Sequence, residues 1–227
     1  MFSIQTVLRA TSLALAAALS LPALAVTSGY TETWDGAGNL AGWFPNTIHS
    51  TVVNPGAGGN DGGFLETRRS GDFAIGAATD LAAATGDFGS QVWKAQVDLI
   101  GLQGTTSAVS LRFRFQDSSH NGWRHQLTDT LGNDWKTFDL TFDTTWTDAQ
   151  AKANGWDTDL PGGFGSVSWA QTMSDVYTTE IRIDGTRTLL AGVDNFSVTA
   201  VPEPTSYAML LAGLGVAGGM ARRRRRG

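Results

Sequence analysis

The amino-acid sequence predicts an all-β, antiparallel sandwich with one or two short helices, flanked by an apolar segment at each end. Three observations support this fold class. Apolar and polar residues alternate with period two in several stretches, as in half-buried strands. Loops rich in Gly, Asn and Asp separate these stretches. Helix-like patterns are confined to two brief segments, which are too short to form a helical layer.

The N-terminal apolar segment is typical of a secretory signal peptide. Arg9 precedes an apolar run over residues 13–24, which closes on a small-x-small pattern at 23–25. The run is too short to span a bilayer comfortably. We therefore expect residues 1–25 to be removed and residues 26–200 to form one domain.

The clearest predicted strand covers residues 109–116. Its odd positions are apolar and its even positions are polar, so the odd side chains are expected to face the core and the even ones to face outward. Alternation and β-branched or aromatic residues predict further strands in the same way. These cover residues 93–99, 138–142, 179–184 and 193–199.

Two short helices are predicted from their capping residues. Thr147 followed by Gln150 forms a capping-box pattern, and Gly155 is suited to end the helix that begins there. Ser168 followed by Gln171 offers a second start of the same kind.

The charge and composition of the predicted domain exclude several classes of function. The chain has 16 Lys and Arg and 21 Asp and Glu. Six of the basic residues and one acidic residue lie in the terminal segments, which leaves 10 basic and 20 acidic residues and a net charge of about −10. Such a domain has no basic footprint for nucleic acid and suits neutral glycans or cations better than anionic polymers. The lack of cysteine excludes disulfides and thiol catalysis.

The C-terminal segment, residues 201–227, combines three features in order. A Pro-Glu-Pro sequence is followed by an apolar stretch of 17 residues and then by five arginines. The prolines keep the neck extended, the stretch would be about 25 Å long as a helix, and the arginines resist translocation. The residues of the neck and the basic tail are Pro202, Glu203, Pro204, Arg222, Arg223, Arg224, Arg225 and Arg226.

This pattern resembles the PEP-CTERM sorting signal of Gram-negative bacteria. The resemblance implies recognition by an exosortase-type membrane protease, with only a transient stay of the C-terminal transmembrane helix in the bilayer. It also implies an exported protein of the cell envelope, cell surface or extracellular matrix, in association with exopolysaccharide. The residues alone leave open a permanent membrane anchor with a proline-rich neck.

Three further features span the domain itself. They are Trp34-Asp35-Gly36 near its start, the glycine-rich loop at 58–65 and the closing sequence at 192–198. With the tryptophan-rich middle, they resemble the laminin-B-like and carbohydrate-binding-module-like jelly rolls of bacterial surface proteins. The resemblance implies an antiparallel jelly-roll β-sandwich, a structural calcium ion and, in many members, sugar binding.

A buried carboxylate is expected at Asp194. This residue shares its alternation phase with Phe196 and Val198, which predicts that it faces the core, where an unpaired carboxylate is costly. The resemblance implies that a calcium ion is the partner and that Asp35, in the first strand, is a second ligand, so that the ion ties the first strand to the last. The alternative is that Asp194 accepts backbone hydrogen bonds at a sheet corner.

Sugar binding would depend on tryptophan, because an indole stacks on the apolar face of a pyranose. Of the eight tryptophans, Trp123 and Trp156 lie in polar, turn-like sequence and are predicted to be exposed. The outward side chains of Arg112, Arg114 and Gln116 would supply polar contacts beside them. The alternative for any single tryptophan is packing in the core of the sandwich.

Catalysis has little support in the sequence. The three histidines lack a metal-binding spacing, and Gly-x-Ser-x-Gly is absent. We therefore expect a non-catalytic exported protein that associates with polysaccharide. A structural or adhesive module with protein partners is the second hypothesis. A polysaccharide-modifying enzyme with an unrecognised carboxylate pair is the third.

Overall fold

The computed structural model describes residues 29–69, 74–115, 121–158 and 167–202. The predicted signal peptide, the apolar segment after the Pro-Glu-Pro neck and Gln116 lie outside these ranges. Within them, no helix combines the length and the apolar character that crossing a membrane requires.

The described residues form twelve strands and two short helices. The strands are β1 Tyr30–Glu32, β2 Trp43–Pro45, β3 Ser50–Val53, β4 Leu65–Arg69, β5 Ile75–Thr79, β6 Val92–Gln103, β7 Thr106–Phe115, β8 Gly122–Thr128, β9 Lys136–Asp143, β10 Trp156–Thr158, β11 Val176–Gly185 and β12 Leu190–Ala200. The helices are α1 Asp148–Ala153 and α2 Trp169–Ser174, which flank β10 in the chain.

These strands form two antiparallel sheets of six strands each. In the first, designated sheet A, the order is β3-β4-β12-β6-β9, and β1 also pairs with β12. In the second, designated sheet B, the order is β10-β8-β7-β11-β5-β2. Two strands pair with the same side of β12: β4 pairs with its first half and β1 pairs with its second half.

Apolar side chains from the inner faces of both sheets form the core. Val109, Leu111 and Phe113 are at most 2% exposed, which confirms the alternation predicted for this strand. Six of the eight tryptophans are equally buried, and complete burial of one indole contributes about 4–6 kcal/mol on a transfer scale. Aromatic packing therefore supplies much of the cohesion of a domain that has no disulfide. The buried tryptophans are Trp34, Trp43, Trp93, Trp123, Trp156 and Trp169.

The predicted strands and helices are confirmed as parts of longer or matching elements. The five predicted strand segments fall in β6, β7, β9, β11 and β12. Thr147 and Ser168 cap α1 and α2, and each takes part in the full reciprocal capping box. Gly155 follows the C-cap of α1 with a φ of 84°, a left-handed conformation that suits glycine.

Sequence reasoning missed the short strands, and for β5 the cause is evident. This strand reads Ile-Gly-Ala-Ala-Thr and is buried at every position, so it shows no alternation. The placement of Asp35 in the first strand is wrong. Strand β1 ends at Glu32, and Trp34 has a φ of 48°, which interrupts the extended chain before Asp35.

Candidate functional site

The outer face of sheet B carries charged side chains in register across four strands. Asp157 of β10 lies opposite Arg124 of β8, Arg124 lies opposite Arg112 of β7, and Arg112 lies opposite Glu180 of β11. Opposed residues in antiparallel strands project from the same face. We call these four residues the charged row. Arg112 and Arg114 thus project away from the core, as the alternation predicted, but Arg112 is only 4% exposed and the Arg114 side chain only 13%, so neither is openly accessible.

The charged row continues across the remaining two strands of sheet B. Glu180 lies opposite Ala78 of β5, and Ala78 lies opposite Phe44 of β2, whose ring is 38% exposed. Six strands spaced about 4.8 Å apart span about 24 Å. The strip therefore has accessible charged groups at the end formed by β10 and β8 and an exposed aromatic ring at the end formed by β2, whereas Arg112, Glu180 and Ala78 between them are at most 4% exposed.

Hydrogen bonds fix the centre of this strip. Glu180 is only 1% exposed; its Oε1 accepts from Asn46 Nδ2 at 2.9 Å, and its Oε2 accepts from Arg114 Nε at 2.5 Å. Arg112 Nε donates to Ser110 Oγ at 3.2 Å. These contacts hold the long side chains in one arrangement, so little rotamer entropy remains to be lost when a ligand binds.

Arg124 differs from the other arginines of the face. It is half-buried, and within the described part of the chain it makes no hydrogen bond or ion pair. Its neighbour Asp157 is exposed and accepts only from the backbone N–H of Thr158 at 2.8 Å. A guanidinium and a carboxylate side by side offer donors and acceptors to vicinal hydroxyl groups. Sequence reasoning missed Arg124 because the short strand β8 was not predicted.

The prediction that Trp123 and Trp156 are exposed is wrong, because both side chains point into the core. Trp123 is 0% exposed, lies opposite Phe113 on the inner faces of β8 and β7, and donates from Nε1 to the backbone carbonyl of Val167 at 3.0 Å. Trp156 is 1% exposed and stacks on Phe113 with a centroid distance of 5.4 Å and an interplanar angle of 16°. Neither indole is accessible to a sugar ring.

Asp194 lies on the outer face of sheet A, so the prediction that it faces the core is wrong. It lies opposite Asp98 of β6, which alternates with core residues and points away from them. The cause is a β-bulge, in which Asn195 adopts a φ of 48°. The extra residue reverses the phase, so Phe196 and Val198 still face the core.

Asp194 is nevertheless 0% exposed, because the glycine-rich loop covers it. Its Oδ2 accepts the backbone N–H groups of Asn60 at 2.7 Å and Asp61 at 3.3 Å, and its Oδ1 accepts that of Asn195 at 2.7 Å. Burial raises the pKa of Asp194, the three N–H groups lower it in part, and the charge of Asp98 adds to the rise. Asp194 therefore accepts backbone hydrogen bonds, as the alternative to a calcium ligand predicted.

Asp98 completes this buried polar cluster. Its Oδ2 accepts from the side-chain amides of Asn60 at 2.7 Å and Asn195 at 2.8 Å. Its Oδ1 is buried and has no hydrogen-bond partner among the described residues. The cluster ties the glycine-rich loop to the position on β12 where its neighbour changes from β4 to β1.

The residues predicted to share a calcium ion do not fit one as they are arranged. Asp35 is exposed and accepts from Thr33 Oγ1 at 3.1 Å. Asp194 is surrounded by N–H groups, whereas calcium requires six to eight oxygens. Among the described residues, no group of three or more histidines and acidic residues could hold a metal ion. Calcium binding therefore stays a prediction from the sequence resemblance.

His125 is a half-buried polar residue of sheet B. It projects inward from β8, contacts Trp156 edge-on at 5.4 Å between centroids, and its Nδ1 is buried with no hydrogen-bond partner among the described residues. Partial burial lowers the pKa of His125, because the charged imidazolium is poorly solvated there. The ring packs against the aromatic side of the core.

The end of β12 joins the sandwich to the C-terminal segment. The strand ends at Ala200, and the backbone N–H of Val201 still donates to the carbonyl of Val92 at 2.8 Å. A model of the PEP-CTERM protein-sorting motif matches residues 200–226. The chain carries a PEP-CTERM sorting motif. The motif begins where the last hydrogen bond of the sandwich is made, and it implies export, sorting to the cell surface and processing by an exosortase.

The sandwich resembles carbohydrate-binding modules of known structure. The family 11 carbohydrate-binding module of a cellulosomal cellulase of Clostridium thermocellum matches with a TM-score of 0.50 and 14% identity, over 77% of this chain and 96% of that one. A tandem of family 22 modules from Paenibacillus barcinonensis matches with a TM-score of 0.50 and 10% identity, over 80% and 48%. At these identities, the likeness concerns the fold alone.

An exo-β-agarase also contains a similar sandwich. It matches with a TM-score of 0.52 and 8% identity, over 78% of this chain. The chain spans only 25% of the length of the agarase and 28% of the length of a family 22 module–xylanase chain from Clostridium thermocellum. No curated protein matches the chain by sequence.

Proposed function

We propose that this chain is a non-catalytic protein of the cell surface or extracellular matrix that binds polysaccharide through the outer face of sheet B. The observation that carries the proposal is the strip formed by the charged row, Ala78 and Phe44. We also propose that the sandwich has the jelly-roll topology that the sequence resemblance implies. The matched proteins named as carbohydrate-binding modules support a binding role.

The dimensions of the strip suit a chain of sugars better than a single small molecule. The accessible groups at the two ends of the strip are about 24 Å apart, a span that several consecutive pyranose rings would cover. The exposed ring of Phe44 offers a stacking surface at one end, and Arg124 with Asp157 offers hydroxyl-binding groups at the other. The centre is already fixed by Glu180 and its partners, which lowers the entropic cost of binding.

The charge of the domain narrows the ligand to a neutral polysaccharide. The 20 acidic and 10 basic side chains between the terminal segments would repel an anionic polymer at long range. Within the charged row, the order from the edge strand inward is negative, positive, positive, negative, so its charges balance. The accessible members of the row, Arg124 and Asp157, carry opposite charges and can bind hydroxyl groups without requiring a charged ligand.

Affinity gel electrophoresis with the exported protein tests the proposal. Gels containing neutral polysaccharide, including the exopolysaccharide of the producing organism, should retard the protein. Arg124→Ala should weaken retention at least tenfold, because it removes the hydroxyl-binding donors at one end of the strip. The fold should be unaffected, because Arg124 makes no hydrogen bond or ion pair within the described residues. The matched control is Arg68→Ala, which removes an exposed arginine from sheet A and should leave retention unchanged. Failure of every neutral polysaccharide to retard the protein would contradict the proposal.

One observation favours an adhesive role with a protein partner as a second candidate. Ile48 is 92% exposed and Val53 is 50% exposed, and they lie near the edge strands β2 and β3 together with Phe44. An exposed apolar group beside sheet edges is a common protein contact surface. Ile48→Ser would reduce adhesion to protein-coated surfaces and leave polysaccharide retention unchanged if this second role applies.

A further inference from the structure

Both described ends of the chain lie at the same end of the sandwich. Tyr30 lies opposite Val198, because β1 and β12 are antiparallel, so the chain enters the fold beside the point where it leaves. Val92, at the start of β6, accepts the last hydrogen bond of the fold from Val201. We call this the terminal end of the sandwich.

There is almost no spacer between the fold and the apolar stretch. Only Pro202, Glu203 and Pro204 separate the last hydrogen-bonded residue, Val201, from the apolar stretch at residue 205. Three extended residues cover about 10 Å. A protease embedded in the membrane that cuts near this neck must hold residues on both sides of the cut bond. On the N-terminal side, those residues belong to β12.

Within the described residues, the last residues of β12 pair on one side only. Thr199 and Ala200 lie opposite Lys94 and Trp93 of β6, whereas the pairing of β12 with β1 begins at Val198 and Tyr30. Residues 196–198, by contrast, also pair with β1, and Phe196 and Val198 are buried in the core. Thr199 is exposed and Ala200 is only partly buried against the core, so residues 199–201 can detach at the cost of this one side-chain contact and the pairing with β6 while the rest of the sandwich stays folded.

We propose that residues 199–201 are a detachable spacer, and that they must leave β6 before the membrane protease can process the neck. In the precursor the terminal end faces the membrane. This end carries exposed acidic side chains near the start of β11 and the N-terminus of α1, including Asp87, Asp148 and Asp175. Anionic headgroups repel these carboxylates, so no lipid-binding site is proposed at this end.

Two changes with opposite effects test the spacer. Insertion of ten Gly and Ser residues between Val201 and Pro202 supplies the missing length and should raise the rate of conversion from precursor to mature protein about tenfold. The same insertion after Gly132, an exposed loop position with open space around it, should leave the rate unchanged. Conversion is measured by pulse-labelling the producing cells and following the mass of the protein.

The second change locks the spacer. Thr199→Cys with Lys94→Cys places two cysteines directly opposite each other, at a separation suited to a disulfide, in a chain that has no other cysteine. Processing should stop in this variant and resume with a reductant. Thr141→Cys with Lys94→Cys links β6 to β9 instead and should be processed normally. Normal processing of the variant that links residues 94 and 199, or an unchanged rate with the inserted spacer, would overturn the proposal.

Discussion

Gly59→Ala tests how the glycine-rich loop is anchored on β12. A Cβ at position 59 would lie 2.0 Å from the carbonyl oxygen of Gly63 and 2.6 Å from Asp194 Oδ2, far inside normal contact distances. The loop must move by about 1 Å or more, which weakens the Gly59 N–H to Gly62 carbonyl bond and both loop N–H bonds to Asp194. At about 1 kcal/mol for each of the three bonds, the expected loss of stability is about 2–4 kcal/mol.

Urea denaturation followed by tryptophan fluorescence measures this loss. For a domain of this size the midpoint of thermal unfolding should fall by about 5–15 °C. The matched control is Gly132→Ala, where nothing lies within 4 Å of the added methyl group, and its effect should stay within about 0.5 kcal/mol. If the two variants were equally stable, the loop would not be anchored on Asp194 as described.

Three further predictions concern Asn54, His125 and the calcium ion implied by the sequence resemblance. Asn54→Ala should cost about 2–4 kcal/mol in urea denaturation, because its buried amide donates to the carbonyls of Trp34, Gly36 and Asn39 and accepts from Gly56; exposed Asn133→Ala should cost nothing measurable. Stability should fall as the pH drops below 6.5, because the unfolded chain binds a proton at His125 that the folded chain, with its lowered pKa, resists; His125→Gln should flatten this slope, and an unchanged slope would refute the cause. If the calcium ion that the sequence resemblance implies is bound, calcium chloride should raise the midpoint of thermal unfolding relative to EDTA, whereas equal midpoints would count against the ion.

The sequence predicted those parts of the fold in which the pattern of one segment is sufficient. The strand at 109–116 alternates strictly, and both helices begin at capping boxes, so their residues specify the local structure directly. The strands β2, β5 and β10 are short or uniformly buried and depend on their neighbours for pairing. Their existence could not be predicted from periodicity alone.

The candidate site was predicted only in part, for two physical reasons. Arg112 and Arg114 follow a simple alternation, whereas Arg124 enters the site through a pairing between β8 and β7 that no local pattern encodes. Trp123 and Trp156 lie in polar sequence, yet the register of their strands turns both indoles inward. A single bulged residue, Asn195, has the same kind of effect on Asp194, because it reverses the phase of the strand.

In the proposed function, polysaccharide binds to the outer face of sheet B. Titration of the isotope-labelled mature protein with oligosaccharides from a retained polysaccharide, followed by amide chemical shifts, tests this claim most directly. We expect the largest shifts at Phe44, Arg124 and Asp157, at the two accessible ends of the strip, with little change around Asp194 on sheet A. Shifts concentrated on sheet A, with the charged row unaffected, would contradict it.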